Sequence, residues 1–482
     1  MEMKDRVAQL VENKRDLFIQ ASDDIWGYAE TRFEEYKSAQ LLSEILEHEG
    51  FTVEREAGGL ETGFIGSYGS GHPVIAILGE FDALSGLSQV AGEAAYQPLI
   101  PEGNGHGCGH NLLGTGALAA AVAVKDYMQE SGMSGTVRYY GCPAEESGSG
   151  KAFMAKAGLF NDVDAAFSWH PGTANSVWHM SSLANINVTF RFKGQSAHAG
   201  AAPHLGRSAL DAVELMNVGT NYMREHMIDL ARVHYAVTNT GGKSPNVVQA
   251  EAEVVYLIRA PKSKQVTELF ERIKNIAQGA ALMTGTQVEH VVEGATSNLI
   301  PNATLEKRMH QNLLDLGLPE YTAEEKVLAK AIYETIPEID KADAAMMAGK
   351  ALAARLAEQP LAEFVKPYHE QMVIMTGSTD VGDVSWIVPT AQCSTATWAY
   401  ATPIHAWQVV AQGKSTYAHK GMLLAGKTMA LSALQALLSP ELIAEAKAEH
   451  AERLDGEAYI CPIPAEIYPP KLSSAAKLPV SI

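Results

Sequence analysis

The sequence predicts an α/β fold, with a first domain interrupted by a smaller inserted lid of strands and helices. Three observations predict it. Continuous apolar runs alternate with Ala- and Leu-rich helical stretches in the first third of the chain, as in sheets covered on both faces. Near Asn185 the strands change to apolar–polar alternation, which marks a sheet with one open face. The length, 482 residues, exceeds what one compact core usually holds. The expected boundaries are 1–184 and 301–482 for the first domain, and 185–300 for the inserted lid.

Residues 4–29 place Val7, Leu10, Val11, Leu17 and Ile25 at helical spacing, and 38–48 form a second helix stopped by Gly50. Residues 73–78 (PVIAIL), 136–141 (TVRYYG) and 163–169 (VDAAFSW) read as buried strands, with 112–128 as a crossover helix. In the lid, 186–192, 246–258 and 287–292 alternate as half-exposed strands, with a helical stretch at 208–231. The Ala-, Glu- and Lys-rich segment 322–363 reads as helices on a solvated surface. Residues 375–386 (MTGSTDVGDVSW) form a polar loop, and 421–438 an amphipathic helix.

Composition excludes several functions. The net charge of −19 argues against nucleic acid or an anionic membrane as a partner. No run of 18 uninterrupted apolar residues occurs, and the charged N-terminal segment has no signal-like apolar core. Four cysteines, Cys108, Cys142, Cys393 and Cys461, are too few for a disulfide framework and suit a reducing cytoplasm.

The chemistry concentrates where strands end. Cys108-Gly109-His110 precedes a helix, Glu145-Glu146 follows a strand and Pro143, His170 follows Trp169, and His405 follows the run 396–401. Open α/β sheets bind ligands at such ends. Each motif alone has an ordinary explanation: an inert turn cysteine, an exposed acidic loop, a structural histidine. Four of them at equivalent strand ends point to a metal site. Adjacent carboxylates repel unless one binds a cation while the other handles a proton. That spare carboxylate separates a hydrolytic metal site from a structural one. Other templates fail: there is no His-Glu-x-x-His helix and no Gly-x-Ser-x-Gly elbow.

The order Gly79-Glu80-Phe81-Asp82-Ala83-Leu84, Gly-His-Gly-Cys-Gly-His (105–110), Pro-Ala-Glu-Glu (143–146), Trp-His-Pro (169–171) and Ser196-Ala197-His198-Ala199 resembles the aminoacylase and glutamate-carboxypeptidase family of dinuclear metallohydrolases. The likeness lies in the amidohydrolase branch and spans nearly the whole chain. It implies a mixed-sheet catalytic domain and a lid that also forms a dimer, as a homodimer or with a related subunit. It implies two divalent metal ions, manganese or zinc, with Cys108 bridging them. His110 and His170 would complete one site, and Glu146 and His405 the other. Glu145 would be the base. His198 would reach across the dimer to the scissile carbonyl, and Asn246 and Arg259 would hold the substrate carboxylate. Glu80 stands where relatives outside the branch carry a ligand motif and is not counted as a ligand; Asp82 is expected behind the ligands. The implied reaction is hydrolysis of N-acyl or N-aroyl amino acids. p-Aminobenzoyl-glutamate is the first substrate and a dipeptide the second; a metal-binding subunit active only beside a related chain is the remaining alternative.

Overall fold

The computed structural model describes residues 1–472. In chain order its strands are Thr52–Arg55 (β1), Phe64–Ser70 (β2), Val74–Glu80 (β3), Gly135–Cys142 (β4), Ala165–Gly172 (β5), Ser176–Val177 (β6), Met180–Ser181 (β7), Ala184–Lys193 (β8), Arg232–Asn239 (β9), Glu251–Ala260 (β10), Gln287–Thr296 (β11), Val373–Ile374 (β12) and Thr390–Ala396 (β13). Seven of them form a mixed sheet in the order β1-β2-β4-β3-β5-β13-β6. Its centre, β4-β3-β5-β13, is parallel.

The apolar run of β3 explains that central position. Ile75 and Ile77 enter one core, with the helix His110–Ser131, while Val74, Ala76 and Leu78 enter the core on the opposite face. A strand buried on both faces needs no polar alternation. Because β3, β4, β5 and β13 run parallel, their C-terminal ends gather at one edge. The segments bearing Asp82, Glu145, His170 and His405 therefore meet there.

The second sheet has the order β11-β8-β10-β9 and is antiparallel throughout. The helices Ala209–Met223 and Ser263–Thr284 cover one face, where Val188, Phe190, Val254, Tyr256 and Ile258 are buried. The alternate residues Asn185, Asn187, Leu257 and Arg259 face a cleft shared with the first sheet. Period-two alternation thus builds a lid with one greasy and one polar side.

Several elements differ from the sequence reading. Residues 4–29 form two helices, Met3–Asn13 and Arg15–Tyr28. The lid has a fourth strand, β9, whose residues are mostly exposed and carry little apolar periodicity. The segment 246–250 is loop, and β10 starts at Glu251. The segment 322–363 is more than solvated surface. Ala329 and Ile332 join the main core, and Ile336, Ala353 and Leu356 pack on Tyr400 and Ala401, next to the His405 loop. Among the described residues one helix, Thr416–Leu438, is long and apolar enough to cross a membrane. Its apolar window is 83% buried inside the fold, so it serves as a core helix.

Candidate active site

Each metal-site candidate is held by local backbone chemistry. Gly109 has φ +74° and stands at the N-terminus of the helix His110–Ser131; a Cβ there would meet Trp398 and Pro171 at 3.0 and 3.2 Å. Only glycine permits this turn, which sets Cys108 and His110 on either side of it. His405 itself has φ +58°, and its N–H donates to the Gly107 carbonyl at 2.8 Å, tying its loop to the Cys108 loop. A left-handed non-glycine residue is costly and persists only where its surroundings fix it. Gly150 closes the Glu145–Glu146 turn so tightly that a Cβ would lie 1.9 Å from the Pro143 oxygen.

These segments bring the side chains together. The ligand atoms of Cys108, His110 and His170 lie within 4.8 Å of one another, and so do those of Cys108, Glu146 and His405. Cys108 belongs to both groups. Its Sγ is 3.3 Å from His170 Nε2. His405 Nε2 and Glu146 Oε1 stand 3.2 Å apart without hydrogen-bond geometry. His110 Nε2 is likewise buried without a hydrogen-bond partner, 3.3 Å from Glu80 Oε2. Buried polar atoms are normally satisfied, and a thiol, three imidazoles and a carboxylate, with His110 Nε2 and Glu146 Oε1 left unpartnered, fit divalent metal.

The groups behind them set direction and charge. His110 Nδ1 donates to Asp82 Oδ1 at 2.8 Å, leaving Nε2 to face the site. The other Asp82 oxygen accepts from the Glu146 N–H at 2.8 Å. His170 Nδ1 donates to the Pro171 carbonyl at 2.7 Å, so its Nε2 also faces inward. Fixing one imidazole nitrogen this way selects the tautomer that binds metal at the other. Burial pushes the Cys108 thiol up. Burial disfavours charge on His110, but Cys108 and Asp82 outweigh it and hold its pKa well above the ordinary value. Burial, with the nearby charges of Glu80, Glu146 and Asp380, holds Glu145 well above the carboxylate range. An added cation reverses these directions, because its field favours thiolate, neutral imidazole and carboxylate.

A buried ion cluster beneath Glu145 went unseen in the sequence. Lys151, wholly buried, places Nζ 2.6 Å from Glu80 Oε1 and 2.6 Å from Asp380 Oδ1. Its own N–H also donates to Asp380 Oδ2 at 2.8 Å. This pairing engages Glu80, the residue not counted as a ligand from the motifs. The spacing of Lys151 from Glu146, inside a glycine-rich turn, was the available signal. Trp178 and Gln392, which also line the cleft, carried no sequence signal.

The cleft has a volume of about 660 Å³ and is lined by Cys108, Glu145, Glu146, His170, His405 and Arg259, among others. Arg259 is half-buried. Its Nε has no hydrogen-bond partner, and one Nη reaches the Thr376 carbonyl at 3.4 Å. No carboxylate of the described residues pairs with it. Asn246 is not beside Arg259. It lies exposed with His198 on the lid, where the Ala199 N–H donates to the Asn246 carbonyl at 2.9 Å. The Gly200 and Ala201 N–H groups donate to His198 Nδ1 at 3.2 and 3.1 Å, so Nε2 carries the proton and points away from them. Neither His198 nor Asn246 lines the cleft of its own chain.

The chain is similar to known proteins. Residues 76–398 match peptidase family M20/M25/M40. The chain is 50% identical over 469 residues to the B subunit of p-aminobenzoyl-glutamate hydrolase from Escherichia coli, covering 96% of this chain and 98% of the relative. It is 30% identical to the mouse Xaa-Arg dipeptidase over 340 residues, 68% of this chain and 74% of the relative. Its fold is similar to that of a dinuclear metal-binding peptidase from Bacillus subtilis, with a TM-score of 0.54 and 19% identity over 89% of this chain and 99% of the other.

Proposed function

The chain belongs to peptidase family M20/M25/M40 and is a metal-dependent hydrolase; from that premise we propose that it cleaves the amide bond of N-aroyl amino acids, p-aminobenzoyl-glutamate first, to p-aminobenzoate and glutamate. The observation that carries the reading is Arg259. An unpaired guanidinium in the same cleft as the thiol, imidazoles and paired glutamates suits a substrate carboxylate, whose two oxygens match its fork. The 50% identity to a protein named for that conjugate supports the choice of acyl group.

In this reading Cys108 is shared by both metal sites, His110 and His170 complete one, and Glu146 and His405 the other. The ions, manganese or zinc, supply positive charge that activates water and polarises the scissile carbonyl; the thiolate favours zinc. Glu145 accepts the proton of the attacking water and delivers it to the leaving amine nitrogen, without which an amide does not part. Arg259 holds the carboxylate and fixes the amide against rotation. His198, through its Nε2–H, donates to the developing oxyanion. Since it lies outside the cleft of its own chain, it acts from a second lid, with Asn246 beside it.

We propose that the second lid comes from a dimer partner, either a copy of this chain or a related subunit. The lid supports this with an edge strand, β9, whose Tyr235 and Val237 are 38% and 40% exposed, and with Val218 and Tyr222 exposed on the neighbouring helix. All four cysteines are free, in keeping with a cytoplasmic location.

The test is amine release by the purified, metal-loaded chain from p-aminobenzoyl-glutamate and a panel of dipeptides. Faster hydrolysis of the dipeptides would replace the reading with a dipeptidase. Activity only after adding a related chain would make this one component of a heteromer.

A further inference from the structure

The cleft has a second built wall, opposite the lid. On β13, Ala391 and Cys393 point into the core, while Gln392 and Ser394 line the cleft. Strand register sets their neighbours. Gln392 pairs with Ser168 and Ser394 with His170 on β5, and on the other side Cys393 pairs with Val177. Trp178 follows as the cross-strand neighbour of Gln392, and its N–H donates to the Gln392 carbonyl at 3.0 Å. Trp178, Gln392 and Ser168 therefore form a row on one face, directly beside His170.

Two features of this row point to a ligand. Gln392 is 5% exposed, yet its Nε2 has no hydrogen-bond partner. A buried amide left unpaired is costly, and the side chain faces the cleft. Trp178 is only partly buried and presents an indole to the same space. Its ring stacks on His170 with centroids 5.7 Å apart and planes at 28°.

We propose that Trp178 and Gln392 form the acyl subsite, which selects a planar aromatic acyl group carrying a hydrogen-bonding substituent. This rests on the amide-hydrolase reading above. A scissile amide has two sides. The amino-acid side carries the carboxylate, which Arg259 on the lid wall claims. The acyl group leaves the reacting carbonyl on the side away from that carboxylate, toward the wall where Trp178 stacks on His170. Its ring packs on the indole, and the Gln392 amide, which offers a donor and an acceptor, meets the polar substituent.

The experiment compares wild type, Trp178→Ala, Trp178→Phe and Gln392→Leu as full-length, metal-loaded protein, with metal content measured for each. The substrates are p-aminobenzoyl-glutamate, benzoyl-glutamate and N-acetylglutamate. Trp178→Ala is expected to lower kcat/KM for both aromatic conjugates by about tenfold or more through KM, with N-acetylglutamate changed less than about twofold. Trp178→Phe, which keeps a ring, should recover most of the loss. Gln392→Leu should lower the p-aminobenzoyl conjugate about fivefold or more and leave the benzoyl conjugate within about twofold. An equal loss on all three substrates, or none, would overturn the subsite. Calorimetric binding of p-aminobenzoate, with acetate as the ringless carboxylate, separates this outcome from failure of the function. If wild type hydrolyses none of the three substrates but binds p-aminobenzoate at least about tenfold more tightly than Trp178→Ala does, the subsite stands and the reaction assignment falls. If wild type binds it no better than acetate, the subsite falls.

Discussion

Asp82 holds His110 by a hydrogen bond of 2.8 Å from Nδ1 to Oδ1, and both side chains are fully buried. The same carboxylate takes the Glu146 N–H on its second oxygen. One residue thus aims a histidine from the Cys108 loop and a glutamate from the β4 end at a common point. Asp82→Ala should weaken metal binding by about 10- to 100-fold while Cys108, His110 and Glu146 remain present. Metal titration of the variant checks this, and unchanged affinity would mean that His110 and Glu146 are positioned without it.

Glu145 and Glu146 are neighbours in sequence with different surroundings. Glu146 groups with Cys108 and His405, whereas Glu145 groups with Glu80 and His110, away from the shared thiol. Glu145→Gln should keep its metal and lose turnover by about 100-fold or more, the usual worth of a proton-transferring group. Elemental analysis and a rate measurement on one sample decide it. Loss of metal in Glu145→Gln, with retention in Glu146→Gln, would exchange their roles.

Lys151 stands between Glu80 and Asp380 with no exposed surface. Its pKa is set by burial, which disfavours the charge, and by the two carboxylates, which outweigh burial and raise it. Lys151→Met keeps the length of the side chain and removes the charge, so two buried carboxylates lose their counter-ion. Breaking such a cluster costs about 3–5 kcal/mol. Chemical denaturation should show a loss of that size, and a loss under about 1 kcal/mol would mean that the carboxylates find other partners or take up protons.

The fold was legible where patterning alone determines it. The unbroken apolar run of β3 identified a strand covered on both faces, and the alternation after Asn185 identified a sheet with one open face. The strand β9 was not legible, because an edge strand that buries only Val233 needs no apolar period. The candidate ligands were legible because metal chemistry demands rare residue types at strand ends. Lys151, Trp178 and Gln392 were not, since their roles depend on distant partners: Glu80 and Asp380 for the lysine, His170 and the cross-strand register for the other two. Asn246 and Arg259 illustrate the remaining limit. Both lie in the lid segment, but the fold of one chain separates them: Arg259 lines the cleft and Asn246 does not.

That separation gives a direct test of a shared site. His198 and Asn246 are exposed and lie outside the cleft that holds Glu145. If His198 serves the neighbouring chain, His198→Ala and Glu145→Gln proteins are each nearly inactive alone. After mixing and reassembly, half of randomly paired homodimers are hybrids. In each hybrid one site carries both defects and the other carries none, so roughly a quarter of all sites recover under two-fold symmetry. Activity should rise to about that fraction of wild type once subunit exchange is shown by native mass spectrometry. No recovery despite exchange would confine His198 to its own chain or remove it from the reaction. Recovery only on adding a related, non-identical chain would assign the second lid to a partner of different sequence.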